Sequence, residues 1–99
     1  MLFAVTYSGT AHGDEARDKR TLKLLAAWKP PAGFEMKSWY DYADGSGGVA
    51  IVDAASPEAL MEAVAPWATF LEFSVKPIVS VEVSTPIYQK AIAWRDSVK

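Results

Sequence analysis

Histidine and tyrosine are the residue types in this sequence that suit acid–base chemistry, because the 99 residues include one histidine and no cysteine. His12 follows the first predicted strand, where an imidazole with a pKa of about 6.5 can act as a general base. Tyr40 lies in the second predicted strand, and a tyrosine hydroxyl can act as an acid or donate a hydrogen bond to a substrate oxygen. We therefore predict His12 and Tyr40 as catalytic residues. A solvated loop histidine and a core tyrosine are the structural alternatives.

Five other side chains are candidates for contact with a ligand. Arg17 falls on the inward side of the first predicted helix, where a guanidinium can hold an anionic group through paired hydrogen bonds. Snorkelling or an ion pair with Asp14 or Asp18 is the structural alternative. Asp41 and Asp53 end neighbouring predicted strands and could divide acid and base roles, although turn and cap chemistry explains both. The predicted ligand-binding residues are Tyr7, Arg17, Trp39, Asp41 and Trp67.

Composition argues against several classes of protein. A single histidine without cysteine does not favour a transition-metal site, so we expect neither a metal nor a cofactor. A net charge of −2 without a basic stripe argues against nucleic acid as a partner. The apolar run at the start is too short for a secretion signal, and no stretch approaches a membrane span. We therefore expect a cytoplasmic protein that does not enter a membrane.

Hydrophobic periodicity predicts the element order β-α-β-β-α-β, followed by an extra helix. The predicted strands cover residues 2–8, 34–42, 49–54 and 73–83. Asp14 and Ser56 are predicted N-caps of the first two helices, Pro57 begins the second helix, and Ser84 opens the third. Strict alternation along the second strand puts Phe34, Met36 and Tyr40 on one face and Trp39 and Asp41 on the other. This order is the ferredoxin-like α+β arrangement, in one domain of residues 1–99 with a helical extension at 84–99.

Apolar residues on both faces of the predicted strands indicate that the sheet is covered on both sides. In a ferredoxin-like sheet the helices cover one face only. The chain is 51% hydrophobic, which is a high share for so small a domain. We therefore expect a homodimer in which two sheets form a barrel.

Recognisable stretches run through the first part of the chain, namely Met1-Leu2-Phe3, Pro30-Pro31-Ala32-Gly33-Phe34, Trp39-Tyr40-Asp41, Gly48-Val49-Ala50-Ile51-Val52-Asp53-Ala54, Ser56-Pro57-Glu58-Ala59-Leu60, Ala65-Pro66-Trp67, Leu71-Glu72-Phe73 and Val75-Lys76-Pro77-Ile78-Val79. Together they resemble a small bacterial family of unknown function within the dimeric α+β barrel superfamily. The resemblance covers residues 1 to about 80, and the third helix looks like an addition. It implies a ligand cavity between sheet and helices, in a superfamily that includes antibiotic-biosynthesis monooxygenases, stress-responsive proteins and a polyketide cyclase. One departure is Tyr40, where the family has a histidine after the tryptophan.

Residues and resemblance together predict a small-molecule-binding dimeric barrel. If this barrel is catalytic, we expect a cofactor-independent cyclase or monooxygenase that acts on an aromatic or polyketide-like substrate, with His12 or a tyrosine as base and Arg17 holding an enolate or carboxylate. The alternatives are a non-catalytic binding or sensing module and a purely structural dimer. The rings of Tyr7 and Trp39 separate these alternatives, because interlocked rings leave no void for a ligand.

Overall fold

Three helices and four strands make up the described part of the chain, residues 1–9 and 14–99 of a computed structural model. The strands form one antiparallel sheet in the order β2-β3-β1-β4. This topology confirms the predicted ferredoxin-like α+β fold with an additional C-terminal helix. A 3₁₀ turn at Ala65–Trp67 follows α2. The elements are β1 (Leu2–Gly9), α1 (Glu15–Ala27), β2 (Phe34–Asp41), β3 (Gly47–Ala54), α2 (Pro57–Val64), β4 (Leu71–Pro77) and α3 (Val81–Ser97).

The first two helices begin where the sequence predicts. The Asp14 carboxylate accepts a hydrogen bond from the Arg17 backbone N–H at 2.8 Å, and Ser56 Oγ accepts one from the Ala59 N–H at 3.1 Å. Pro57 takes the first helical position of α2, where its missing N–H costs no intrahelical bond. These caps satisfy backbone donors that a helix N-terminus otherwise leaves without a partner.

One face of the sheet forms the small core. Register pairs Phe3 with Val52, Val5 with Ala50 and Tyr7 with Gly48, so these six residues share a face. Along β3 the side chains become smaller, from Val52 through Ala50 to Gly48, which lies opposite Tyr7. Phe34, Met36 and Leu60 add partly buried contacts around this core.

A β-bulge in β2 overturns the face assignment predicted for that strand. Met36 pairs with Val52 and Ser38 with Ile51, so Lys37 is the extra residue. A bulge adds one residue that has no partner on the neighbouring strand. Every side chain after it therefore lies on the face opposite to the one that strict alternation predicts. Trp39 and Asp41 therefore share the core face with Phe34 and Met36, and Tyr40 lies on the opposite face.

The fourth strand is shorter than predicted, and the third helix begins earlier. β4 ends at Pro77, and Val81 and Val83 belong to α3 rather than to a strand. Ser80 is the N-cap, with its hydroxyl accepting from the Val83 N–H at 3.4 Å. Val81 and Val83 are two residues apart and so resemble a strand pattern. They are helical instead, because the N-cap Ser80 directly precedes Val81. Pro86 lies inside α3.

The third helix stands apart from the rest of the molecule. None of its residues is buried, and the molecule extends 63 Å along its longest axis. Its radius of gyration is 17.9 Å, whereas a compact domain of this length has about 13 Å. A stripe of apolar side chains along α3 is exposed, and it contains Val83, Ile87, Trp94 and, just beyond the last turn, Val98.

Candidate functional site

The first helix is attached to the body of the protein near both of its ends. Near its start, Arg17 Nη2 donates to the Phe70 carbonyl at 3.0 Å and to the Thr69 carbonyl at 3.4 Å. The guanidinium also lies 5.6 Å from the centre of the Phe70 ring, within cation–π distance. At the other end, Trp28 packs edge-on against a ring of the 3₁₀ turn, Trp67, with centroids 5.9 Å apart.

Trp28 is the centre of an aromatic cluster that joins the helices to the sheet. Besides Trp67, it meets Phe34 at 6.5 Å and Trp39 at 6.3 Å between ring centroids, both edge-on. Such tilted contacts are the favoured geometry for aromatic pairs. Since no residue of α1 is buried, these end contacts hold the helix over the sheet while its middle stays away from it.

The space under α1 is a cavity of about 580 Å³. We call it the central cavity. Its floor is the core face of the sheet, including Val5 and Tyr7, and α2 contributes Ala63 and Val64. This volume lies within the range of about 300–1,000 Å³ that is typical of small-molecule sites. From α1 the cavity receives side chains at helical spacing, namely Asp18, Thr21, Leu22 and Leu25, with Trp28 just after the helix.

Two short hydrogen bonds connect three of the polar side chains that line the cavity. Trp39 Nε1 donates to the Tyr7 hydroxyl at 2.6 Å, and that hydroxyl donates to Asp41 Oδ1 at 2.6 Å. We call these three residues the Tyr7 network. Burial, followed by the hydrogen bond to Asp41, raises the pKa of Tyr7 from 10.0 to about 12. Tyr7 therefore stays neutral near pH 7 and acts as a hydrogen-bonding group, not as a phenolate base.

Two local features of the sheet position this network. The bulge at Lys37 brings Trp39 and Asp41 to the face on which Tyr7 lies. Gly48 faces Tyr7 across the β1–β3 pair, and a Cβ at Gly48 would overlap the phenol ring and its oxygen. Glycine is therefore required at this point, because the Tyr7 ring lies directly over the β3 backbone.

The structure brings together four of the predicted site residues. Tyr7, Trp39, Asp41 and Trp67 all line the central cavity. His12 lies outside the described residues, so its predicted role as a base stays a prediction.

The remaining candidates lie elsewhere. Tyr40 is on the opposite face of the sheet and 67% exposed. The Arg17 guanidinium contacts the carbonyls of the turn before β4, and the residue is not part of the cavity wall. Asp41 pairs with Gly48 at one end of the β2–β3 ladder, whereas Asp53 pairs with Glu35 at the other. The two carboxylates predicted as a possible acid–base pair are therefore not neighbours.

Among the residues of the cavity wall that the sequence analysis did not single out are Trp28 and Asp18. Asp18 was considered there only as a possible ion-pair partner of Arg17. Asp18, Leu22 and Leu25 follow the spacing i, i+4, i+7, which places them on one helix face. That spacing was the available signal for a carboxylate on the inner side of α1.

An antiparallel sheet with helices on one face and a lined cavity between them defines a ferredoxin-like α+β domain with an internal pocket. Residues 1–92 match the family described as Domain of unknown function (DUF3303), and the chain belongs to that family. The match includes most of α3, whereas the resemblance on sequence stretches stopped near residue 80. No curated protein matches the chain. Within residues 1–9 and 14–99, no helix has the length and apolar character needed to cross a membrane.

Proposed function

We propose that this protein binds a small organic molecule in the central cavity and works as a homodimer. The observation that carries the first part is a cavity of about 580 Å³ whose wall combines aromatic rings with a few polar groups, among them the Tyr7 network. Mostly apolar walls with a few placed polar groups are the usual composition of a ligand site, because rings supply affinity and polar atoms fix orientation.

The described residues support binding more directly than catalysis. The ionisable groups in the cavity wall are Asp18, Asp41, Tyr7 and Tyr42 among the residues that the structure describes. With its pKa raised to about 12, Tyr7 does not accept or release a proton readily near pH 7. A cyclase or monooxygenase activity of the kind implied by the superfamily therefore depends on a base other than Tyr7. We assign the cavity a binding role.

Binding can be tested with native mass spectrometry of the purified protein and calorimetric titration with naphthylmethanol, a neutral aromatic probe. The test variant is Leu25→Trp, since Leu25 lines the cavity from an exposed position on α1 and a larger side chain there reduces its volume. Met61→Trp is the matched control, because Met61 is exposed on α2 outside the cavity wall. We expect binding to wild type and to the control, and at least tenfold weaker binding to Leu25→Trp. Equal binding to both variants, or none to wild type, would refute the proposal.

Two uncovered apolar surfaces support the homodimer. The outer face of the sheet carries Ala4, Val49 and Ile51, only partly buried, and neither α1 nor α2 lies on that side. The apolar stripe of α3 is exposed as well, with Trp94 at 68%. We expect a second copy to cover these surfaces in a symmetric dimer, which is the commonest form of assembly.

Sedimentation velocity over a concentration series tests the dimer. Trp94→Asp should dissociate it, because a carboxylate on the apolar stripe would be buried without a partner. Gln89→Asp makes the same charge change on the opposite side of α3 and should leave the dimer intact. A wild-type monomer at all concentrations, or an undisturbed dimer in Trp94→Asp, would contradict this part of the proposal.

A further inference from the structure

We propose that the molecule bound in the central cavity is an arylalkyl amine in its protonated form, with its ammonium group at Asp41 and the Tyr7 oxygen and its planar ring among the tryptophans. This inference rests on the proposed function, since it names the chemical class that the same cavity takes. It follows from the direction of the hydrogen bonds, the sign of the charges and the nature of the walls.

The Tyr7 network offers hydrogen-bond acceptors only. The single proton of the Tyr7 hydroxyl is donated to Asp41, and the single N–H of the Trp39 indole is donated to Tyr7. A phenol oxygen has two lone pairs and an ionised carboxylate has four acceptor positions. Acceptor capacity therefore remains on Tyr7 and Asp41, while the donors of Tyr7 and Trp39 are already used. A ligand group that meets this network must itself donate.

The charge of the wall points the same way. Asp18 on α1 and Asp41 at the end of β2 both line the cavity, and no lysine or arginine is among its described lining residues. The guanidinium of Arg17 is directed to the carbonyls of Thr69 and Phe70 instead. Carboxylates without a cation in the same wall repel an anionic ligand and attract a cationic one. This is the reverse of the anion-holding role predicted for Arg17.

The aromatic walls suit both parts of such a ligand. Trp28, Trp39 and Trp67 line the cavity, and Trp39 is 44% exposed. An indole face attracts an ammonium group held within about 6 Å of the ring centre. Indole faces also pack well against a planar aromatic body. A neutral alcohol donates one hydrogen bond, whereas a primary ammonium donates up to three and adds the charge.

Three probes that share one naphthyl ring, substituted at the same position, separate the effects of charge, hydrogen-bond donation and ring packing. They are naphthylmethylamine, naphthylmethanol and naphthoate, titrated calorimetrically near pH 7. We expect the amine to bind about tenfold more tightly than the alcohol, which is ~1.4 kcal/mol. We expect naphthoate to bind more weakly than the alcohol. Added salt should weaken binding of the amine and leave binding of the alcohol nearly unchanged, because salt screens only the charged pair.

The variant Asp41→Asn assigns the preference to a residue. It should lower the affinity for the amine about tenfold and the affinity for the alcohol much less, because an asparagine Oδ1 still accepts a hydrogen bond but carries no charge. An equal loss for both probes would show that the cavity itself was altered and would overturn the assignment of the charge preference to Asp41. Glu72→Gln is the control, because Glu72 is an exposed carboxylate outside the cavity wall.

Other results of these titrations would contradict either the amine preference, the proposed binding function or the role of Asp41. Equal binding of amine and alcohol, or tightest binding of naphthoate, would overturn the inference and leave the proposed binding function standing. Binding of none of the three probes would overturn both. An amine preference that survives in Asp41→Asn would overturn the assignment to Asp41.

Discussion

Replacement of Tyr7 by phenylalanine removes one oxygen and both hydrogen bonds of the Tyr7 network. The bonds to Trp39 and Asp41 are each 2.6 Å long, and one of them has a carboxylate as acceptor. Trp39 is 44% exposed and Asp41 is exposed, so water can reach the partners left behind. With a net value of about 0.5–1.5 kcal/mol for a typical hydrogen bond, we expect Tyr7→Phe to lose about 1.5 kcal/mol of unfolding free energy. For a domain of this size that corresponds to about 6–12 °C in Tm.

Thermal and denaturant unfolding near pH 7 measure this loss. The matched control is Tyr40→Phe, which removes a hydroxyl on the opposite face of the sheet that makes no hydrogen bond to the described residues. The control should stay within about 0.5 kcal/mol of wild type, as exposed substitutions usually do. If Tyr7→Phe is also within that range, the network does not stabilise the fold, and its geometry cannot orient a ligand in the way proposed.

The same variant predicts a difference at high pH. Folding raises the pKa of Tyr7 from 10.0 to about 12, through burial first and then the hydrogen bond to Asp41. A raised pKa stabilises the folded state below the ordinary value, and that stabilisation disappears as the pH rises from 10 to about 12. Wild type should therefore lose stability across this interval, and Tyr7→Phe should lose less. Tyrosinate absorbance should show a late titration step for Tyr7 in wild type, and this step should be missing in the variant.

Three further substitutions test how the cavity is built. Gly48→Ala should cost about 1–3 kcal/mol in chemical denaturation, because its methyl group would overlap the Tyr7 ring; Gly9→Ala, with no other atom within 4 Å of the added carbon, should be nearly neutral. Trp28→Ala should cost about 3 kcal/mol, because it removes the centre of three edge-on ring contacts, and should abolish probe binding; a stable protein that still binds would contradict the cavity model. Arg17→Met should speed amide hydrogen exchange in α1, because it removes the hydrogen bonds that hold the start of that helix; unchanged exchange would show that they are dispensable.

The order of helices and strands could be predicted from the sequence because local signals, such as helix N-caps, mark where these elements begin and end. Asp14 and Ser56 cap the helices that they were predicted to cap. The error at the end of the chain has a cause of the same kind. Val81 and Val83 alternate like strand residues, and the sequence analysis placed the helix cap at Ser84, although Ser80 provides it four residues earlier. Two serines can cap alternative helices, and periodicity over so few residues does not decide between them.

The cavity wall was harder to predict because one inserted residue controls it. Strict alternation places Trp39 opposite Phe34 and Met36, and the bulge at Lys37 reverses this. The sequence does carry a trace of the reversal, since the large apolar residues move from even positions, 34 and 36, to the odd position 39. Both faces of the strand carry an aromatic residue, however, so alternation alone does not show where the register changes. The contacts of Asp18 and Trp28 depend on how far α1 stands from the sheet, which no local pattern encodes.

Three features that lower stability surround the same place in the fold. β2 carries an extra residue, β3 has a glycine in its interior opposite Tyr7, and α1 buries none of its residues. An interior glycine costs about 0.5–1 kcal/mol relative to alanine where a strand has room for a side chain, but the Tyr7 ring fills that space at Gly48. A domain whose only role was to pack against a second copy would gain stability from a regular strand, from a small residue at position 7 facing a larger one at position 48, and from a helix closer to the sheet. Because all three departures shape the cavity and orient the Tyr7 network, they favour a ligand-binding role over a purely structural dimer.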